Sequence, residues 1–151
     1  MSLICLNCRG LGDPKAVSKL RNFLWRHSPC LVFLSETKHS SLKMLKIKKR
    51  LRDFDGVAVD ARGRSAGVAL LWKKGLDVSL LSLSLHHVDV AIKNIGGLFA
   101  WRFTGIYGYP KTENKHKTCD LLKDLVEQSN LPWLVGGDIS EIFFNFERRG
   151  G

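Results

Sequence analysis

Four polar residues each close a short apolar run, and their types could do chemistry on a phosphate. Asn7 follows Leu3-Ile4-Cys5-Leu6 and Glu36 lies just past Leu31-Val32-Phe33-Leu34. Tyr107 ends the run that contains Trp101 and Phe103, and Asp138 follows Trp133-Leu134-Val135-Gly136-Gly137. Two carboxylates and an amide oxygen make a hard oxygen set of the kind Mg²⁺ accepts while keeping several waters. Such a cation polarises a phosphoryl oxygen and assists the leaving group. A carboxylate within reach of a water can orient or deprotonate it for attack on phosphorus. A phenol can donate to the charge building on a phosphate oxygen. Each position also has a plain structural alternative. Strands must end in something polar, and Asp138 could simply turn the chain or cap a helix beginning near Glu141.

For these residues to meet, the chain must bring distant strand ends to one place. Leu3-Ile4-Cys5-Leu6 reads as a strand with a polar, glycine-rich exit, Asn7-Cys8-Arg9-Gly10-Leu11-Gly12. Asp13 suits an N-cap and Pro14 the first helical position, and Val17, Leu20, Phe23 and Leu24 share a face, which predicts an amphipathic helix over 14–27. Pro29 stops it, and Leu31-Val32-Phe33-Leu34 reads as a second buried strand. In open α/β sheets the carboxyl ends of strands are where ligands bind. A Lys-rich helix is expected from 40 to about 51, with Leu42, Leu45 and Leu51 as its apolar marks, and a short strand over 56–61. The loop 62–67, with Arg62 and Arg64 among its glycines, could hold a phosphate or be an ordinary hairpin loop. The strand Val68-Ala69-Leu70-Leu71-Trp72 follows.

The middle of the chain is dense in strand signals. Val78 and Leu80 share one parity whereas Leu81, Leu83 and Leu85 share the other, so a bulge is expected near Leu80-Leu81. Val88, Val90 and Ile92 alternate with Asp89 and Lys93, and Phe99, Trp101 and Phe103 alternate with Arg102 and Thr104; Gly96-Gly97 between them suggests a tight turn. His86-His87 reads as a solvated loop. A helix is expected after the polar loop 111–116, running to about 129 with Leu121, Leu122, Leu125 and Val126 inward. Trp133-Leu134-Val135 suits a strand buried on both faces, and Gly136-Gly137 leave room for a close approach. The layout is an α/β layered domain, with no repeat and no linker.

The 151 residues are about one domain's worth of chain, and 44% hydrophobic with 25% charged is the balance of a folded, water-soluble protein. No apolar run approaches the roughly 20 residues that span a bilayer, and no signal-peptide pattern opens the chain, so no membrane partner is expected. Lys and Arg number 24 against 14 Asp and Glu, a net charge of +10 that favours polyanions, nucleic acid first. Cys5 and Cys8 form a C-x-x-C with no second pair at zinc-site spacing. Alternation along a strand turns the two thiols to opposite faces, so Cys5, Cys8, Cys30 and Cys119 read as buried free thiols of a reducing compartment.

Five blocks occur in an order that resembles one known superfamily: Asn7-Cys8-Arg9-Gly10-Leu11-Gly12, Ser35-Glu36-Thr37-Lys38, the block from Gly63-Arg64-Ser65-Ala66-Gly67 to Trp72, Gly105-Ile106-Tyr107-Gly108, and Pro132 to Ile142. Together they resemble the endonuclease/exonuclease/phosphatase, or DNase-I-like, superfamily, and within it the endonuclease domain of plant LINE-type non-LTR retrotransposons. The resemblance covers nearly the whole chain. It implies an α+β fold, part of a four-layer sandwich of mostly antiparallel sheets flanked by helices. It implies Mg²⁺-dependent cleavage of DNA phosphodiesters, with Mn²⁺ as an alternative metal, and an intracellular, nuclear setting. Carried over by motif, Glu36 is the principal metal ligand with Asn7 beside it. Tyr107 contacts the scissile phosphate and Asp138 orients the attacking water. Ser140 occupies a further catalytic position, and Arg9, Lys38 and Arg64 are expected along the phosphate and DNA path.

Two departures qualify the resemblance. The family's Gly-Asp-Phe-Asn reads Gly137-Asp138-Ile139-Ser140 here, and the shorter Ser140 need not reach the atom its amide counterpart does; a misplaced donor of this kind costs about 10²–10³ in rate. The family also supplies an Asp–His pair late in the domain, in a Ser-Asp-His or similar motif. None of the five histidines, His27, His39, His86, His87 and His116, follows Asp138. The sequence therefore reads as a domain shortened within its second sheet, with weak or no turnover as one expectation and a basic nucleic-acid-binding remnant as the other. Self-association through open sheet edges is expected with either.

Overall fold

A strand, a helix and a parallel strand set the frame. β1 (Leu3–Asn7) leads into α1 (Pro14–His27) and returns as β2 (Leu31–Ser35), parallel to β1 with Asn7 opposite Ser35. The helix starts as its sequence dictates, with Asp13 accepting from the Lys15 N–H at 2.9 Å and Pro14 in the first turn. It ends at Ser28, whose left-handed backbone (φ 43°) turns its N–H back to the Leu24 carbonyl, one residue before Pro29. The computed structural model describes residues 2–62, 66–94, 97, 100–109 and 112–138.

Two four-stranded sheets result. The first has the order β1-β2-β4-β3, with α2 (Ser41–Arg50), β3 (Phe54–Val59) and β4 (Val68–Lys73). The second has the order β5-β6-β7-β8, from β5 (Asp77–Leu83), β6 (His87–Lys93), β7 (Ala100–Tyr107) and β8 (Trp133–Asp138). A 3-10 turn, Thr112–Asn114, and α3 (Lys115–Val126) connect β7 to β8. The pairs β1–β2 and β7–β8 are parallel and the others antiparallel. This is the expected α+β sandwich. The bulge falls where the parity switch put it, as a register shift between Leu80 and Ser82. The turn after β6 closes with Gly97 donating to the Asn94 carbonyl; Gly96 and Phe99 lie outside the described residues.

β2 is buried along its whole length, and alternation splits its side chains between two cores. Leu31 and Phe33 join Val68, Leu70, Val88, Val90, Ile92 and Phe103 between the sheets. Val32 and Leu34 join Ala69 and Leu71 beneath Val17, Leu20 and Leu24 of α1 and Met44 and Ile47 of α2. Each such side chain contributes about 1.5–3 kcal/mol on burial. The sheets approach closely where the Phe33 ring lies against Gly105, since a Cβ there would overlap it.

The outer face of the second sheet carries a buried polar network. Asp89, Arg102 and Thr104 are fully buried. Arg102 grips Asp89 through Nε at 2.8 Å and a second nitrogen at 2.8 Å, and also donates to the Leu125 carbonyl of α3 at 2.7 Å. Thr104 donates to Asp89 at 2.7 Å and accepts from the Trp133 indole N–H at 2.8 Å. The Arg102 guanidinium lies 4.6 Å from the centre of the Trp133 ring.

Several expectations need correction. In α2 the inward face is Met44 and Ile47, while Leu42 is 67% exposed and Leu45 is also exposed. In α3 Leu125 and Thr118 face inward and Val126 is exposed. Trp133-Leu134-Val135 is not buried on both faces, since Leu134 is 48% exposed, and it forms an edge strand among the described residues. His87 is not solvated: it opens β6 at 5% exposure, its ring between the Ser82 and Ser84 hydroxyls. Burial holds its imidazole below the usual range. The four cysteines are free, but none is fully buried and Cys5 is exposed.

Candidate active site

A parallel crossover puts the carboxyl ends of both its strands at the same rim of the sheet. The chain has two, β1-α1-β2 and β7-α3-β8, and the edge strands β1 and β8 lie side by side across the sandwich. Four strand ends therefore share one rim. The Asn7 amide nitrogen donates to Glu36 Oε2 and reaches Asp138 Oδ2 at 3.4 Å, while the amide oxygen accepts from the Arg9 N–H at 3.0 Å. Tyr107 is the register partner of Asp138, and the next residue, Gly108, donates its N–H to the Asp138 carbonyl at 2.9 Å. Asn7, Glu36, Tyr107 and Asp138 thus come together from positions up to 131 residues apart.

The backbone around Glu36 is held in an uncommon conformation. Arg9 (φ 50°), Glu36 (φ 53°) and Lys38 (φ 57°) are all left-handed, which costs non-glycine residues about 1–3 kcal/mol each. Cross-loop hydrogen bonds sustain it: Gly10 to the Glu36 carbonyl at 2.7 Å, Leu11 to Thr37 at 3.1 Å, and Lys38 to Ala66 at 2.7 Å. Thr37 is buried, its hydroxyl unpartnered among the described residues and packed against Gly67, whose φ of 83° and lack of a Cβ allow the approach. This scaffold leaves Arg9 and Lys38 exposed on either side of Glu36, with the Lys38 stem over Gly10. Gly136 and Gly137 act similarly on the other sheet. The Cys5 thiol sits where a Cβ on Gly136 would begin to crowd it, and one on Gly137 (φ 125°) would overlap Ile106.

Two neighbours sense the acidic cluster. Burial, followed by the charges of Glu36 and Asp138, raises the Tyr107 phenol above its usual value, so it stays a hydrogen-bond donor at neutral pH. Burial, with Glu36 second, pushes the Cys8 thiol up to about 12. Among the described residues the ion pairs join other partners and leave Glu36 and Asp138 unengaged. Two carboxylates held side by side by the Asn7 amide, with no opposing side-chain cation among the described residues, fit a hard divalent ion that keeps most of its waters. No group of three His, Cys, Asp or Glu side chains suited to a metal occurs among the described residues. Ser140 and Arg64 lie outside the described residues.

Sequence reading missed two residues at this rim, His86 and Tyr109. The His86 Nδ1 lies 2.9 Å from the Tyr107 carbonyl, and its ring stacks on Tyr109. The shared parity of Tyr107 and Tyr109 was the one available signal; the approach of His86 depends on the β5–β6 hairpin.

No protein-family model and no curated protein matches the chain. Solved structures do. The chain is similar to a humanized Danio rerio TDP2 (14% identity, TM-score 0.67, all of this chain and 66% of that one). It is similar to the endonuclease domain of TRAS1, a telomere-specific non-LTR retrotransposon (15%, 0.67, 89% of this chain and 58% of that one). An endonuclease/exonuclease/phosphatase family protein from Leptotrichia buccalis is comparable (14%, 0.66, 99% and 73%). The fold is therefore the endonuclease/exonuclease/phosphatase fold, and the chain spans less than two thirds of the TDP2 and TRAS1 chains.

Proposed function

We propose that this rim is a phosphodiester-cleaving site for DNA, of retrotransposon-endonuclease type, with slow turnover. The observation that carries the reading is the Asn7 amide joining Glu36 and Asp138 at the meeting point of two sheets, with Tyr107 beside them. Glu36, with Asn7, would hold Mg²⁺ or Mn²⁺, whose chemistry is to polarise the phosphoryl oxygen and stabilise the departing one. Asp138, exposed at the end of β8, takes a hydrogen bond from the incoming water and turns its lone pair toward phosphorus. The protonated Tyr107 phenol donates to a non-bridging oxygen as charge builds there. Arg9 and Lys38 meet the flanking phosphates, and Arg64 is a further phosphate contact on the resemblance alone. The +10 charge and the likeness to the TRAS1 domain favour DNA over small phosphates. Ser140, where the resemblance leads one to expect a longer amide, accounts for the slow rate. DNA as substrate makes the nucleus the place of action.

A second reading, a basic nucleic-acid-binding module without turnover, is favoured by the same net charge and the exposed Arg9 and Lys38. Supercoiled plasmid with the purified chain and Mg²⁺ separates the two. The expected result is slow conversion to nicked circles, abolished by chelation and reduced at least tenfold in Glu36→Gln and in Asp138→Asn. Salt-sensitive binding to plasmid that stays supercoiled would establish the second reading instead.

A further inference from the structure

Beside the acidic cluster lies a feature that phosphate chemistry uses only at its Tyr107 end. Three rings form a stack at the carboxyl end of β7. His86 and Tyr109 have ring centres 3.6 Å apart with planes inclined by 18°, and His86 and Tyr107 have centres 6.4 Å apart with planes only 6° from parallel. Backbone bonds hold the stack from three sides. Tyr107 N–H donates to the His86 carbonyl at 2.8 Å, the His86 ring meets the Tyr107 carbonyl, and the Tyr109 N–H donates to the buried Thr118 hydroxyl of α3 at 3.3 Å. Lys117 places its ammonium 5.6 Å from the centre of the Tyr109 ring, and both His116 and Lys117 are exposed.

None of the three rings is buried, and the core between the sheets closes without His86 or Tyr109. Rings ordered at the surface, rather than folded into the core, keep apolar area available to a partner. The stack begins at Tyr107, beside the phosphate-handling carboxylates, and runs outward toward lysine. That sequence of groups matches a nucleic-acid strand, in which a base lies one nucleotide's reach from each phosphate. We propose that Tyr109, backed by His86 on one face, stacks on its other face an unpaired nucleobase flanking the cleaved phosphate, as Lys117 moves off that ring to pair with the next phosphate outward. A base within a duplex is already stacked on its neighbours, so the platform selects single-stranded or unpaired positions. The proposal rests on the nucleic-acid reading of the site and adds the feature of the strand that is recognised.

The test compares two labelled single strands of equal length and charge, one of thymidines and one of abasic residues, by fluorescence anisotropy over a range of salt. The intact chain should bind the thymidine strand about five-fold or more tightly than the abasic one, as expected for one stacked base. Both affinities should fall as salt rises. Tyr109→Ala should remove the preference while leaving abasic-strand affinity unchanged and unfolding cooperative. Tyr109→Leu, which keeps apolar bulk, should also lose it, and Tyr109→Trp should keep it. Salt-sensitive binding that is equal for the two strands, or a preference surviving both Tyr109→Ala and His86→Ala, would overturn the platform alone. Absence of salt-sensitive binding to either strand would overturn the nucleic-acid reading, and the platform with it.

Discussion

At the scale of single residues, the acidic cluster changes the chemistry of side chains that take no part in it. The Cys8 thiol, pushed up to about 12 by burial and then by Glu36, has on the order of one thiolate in a thousand at pH 9. Alkylation at that pH, followed by mass spectrometry of intact and urea-unfolded chain, should find Cys8 protected in the fold and labelled only on unfolding. The same shift affects stability. In the unfolded chain the thiol ionises near 9, whereas in the folded chain it stays protonated until about 12. The folded state therefore binds the extra proton in between, so its contribution is complete below pH 9 and is lost as pH rises toward 12. Neutralising Glu36 in Glu36→Gln should bring the Cys8 thiol down and make labelling faster. That result would tie the carboxylate to the thiol without any measurement of turnover.

At the scale of elements, the Asp89–Arg102–Thr104–Trp133 network fixes β8 and the end of α3 against β7, and through them sets Asp138 opposite Tyr107. Removing one partner leaves a buried charge alone. Arg102→Met and Asp89→Leu should each cost about 3–5 kcal/mol by urea unfolding, and the double variant should cost less than their sum. This layer was the least legible in the sequence. Asp89, Arg102 and Thr104 sit at the polar positions of alternating strands, and alternation alone cannot show that α3 covers that face. The same limit explains α2, where Leu42 and Leu45 compete with Met44 and Ile47 for the inward stripe and only the placement of the first sheet decides. By contrast, α1 was readable to the residue, because Asp13, Pro14 and Pro29 are local signals. The four site residues were readable as strand ends, but their meeting depends on the order of strands in two sheets. Trp133-Leu134-Val135 misled because an apolar run suits a buried strand and an edge strand alike.

At the scale of the whole molecule, both strands that carry the outer site residues, β1 and β8, are sheet edges among the described residues, with Cys5 and Leu134 exposed along them. Edges with apolar side chains pair with other chains unless a charge blocks them. Sedimentation velocity should find mass rising with concentration, and Leu134→Lys should suppress the rise while leaving the unfolding midpoint within about 0.5 kcal/mol of its original stability. A weight independent of concentration would exclude this edge as a contact. The split of the site between two sheets also has a consequence for timing. The four described strands of the first sheet are made once Lys73 has been added, whereas Asp138 lies in the last described strand of the second. At about 5–20 residues per second, several seconds of synthesis separate the two. Until β6 and β7 have been made, Asn7 and Glu36 sit on a sheet whose inner face, Leu31, Phe33, Val68 and Leu70, lacks its cover of Val88, Val90, Ile92 and Phe103. A nascent chain held at that stage is the form most exposed to chaperones and proteases, and the site is completed later still, when β8 brings Asp138 to a sheet that β6 and β7 already shield.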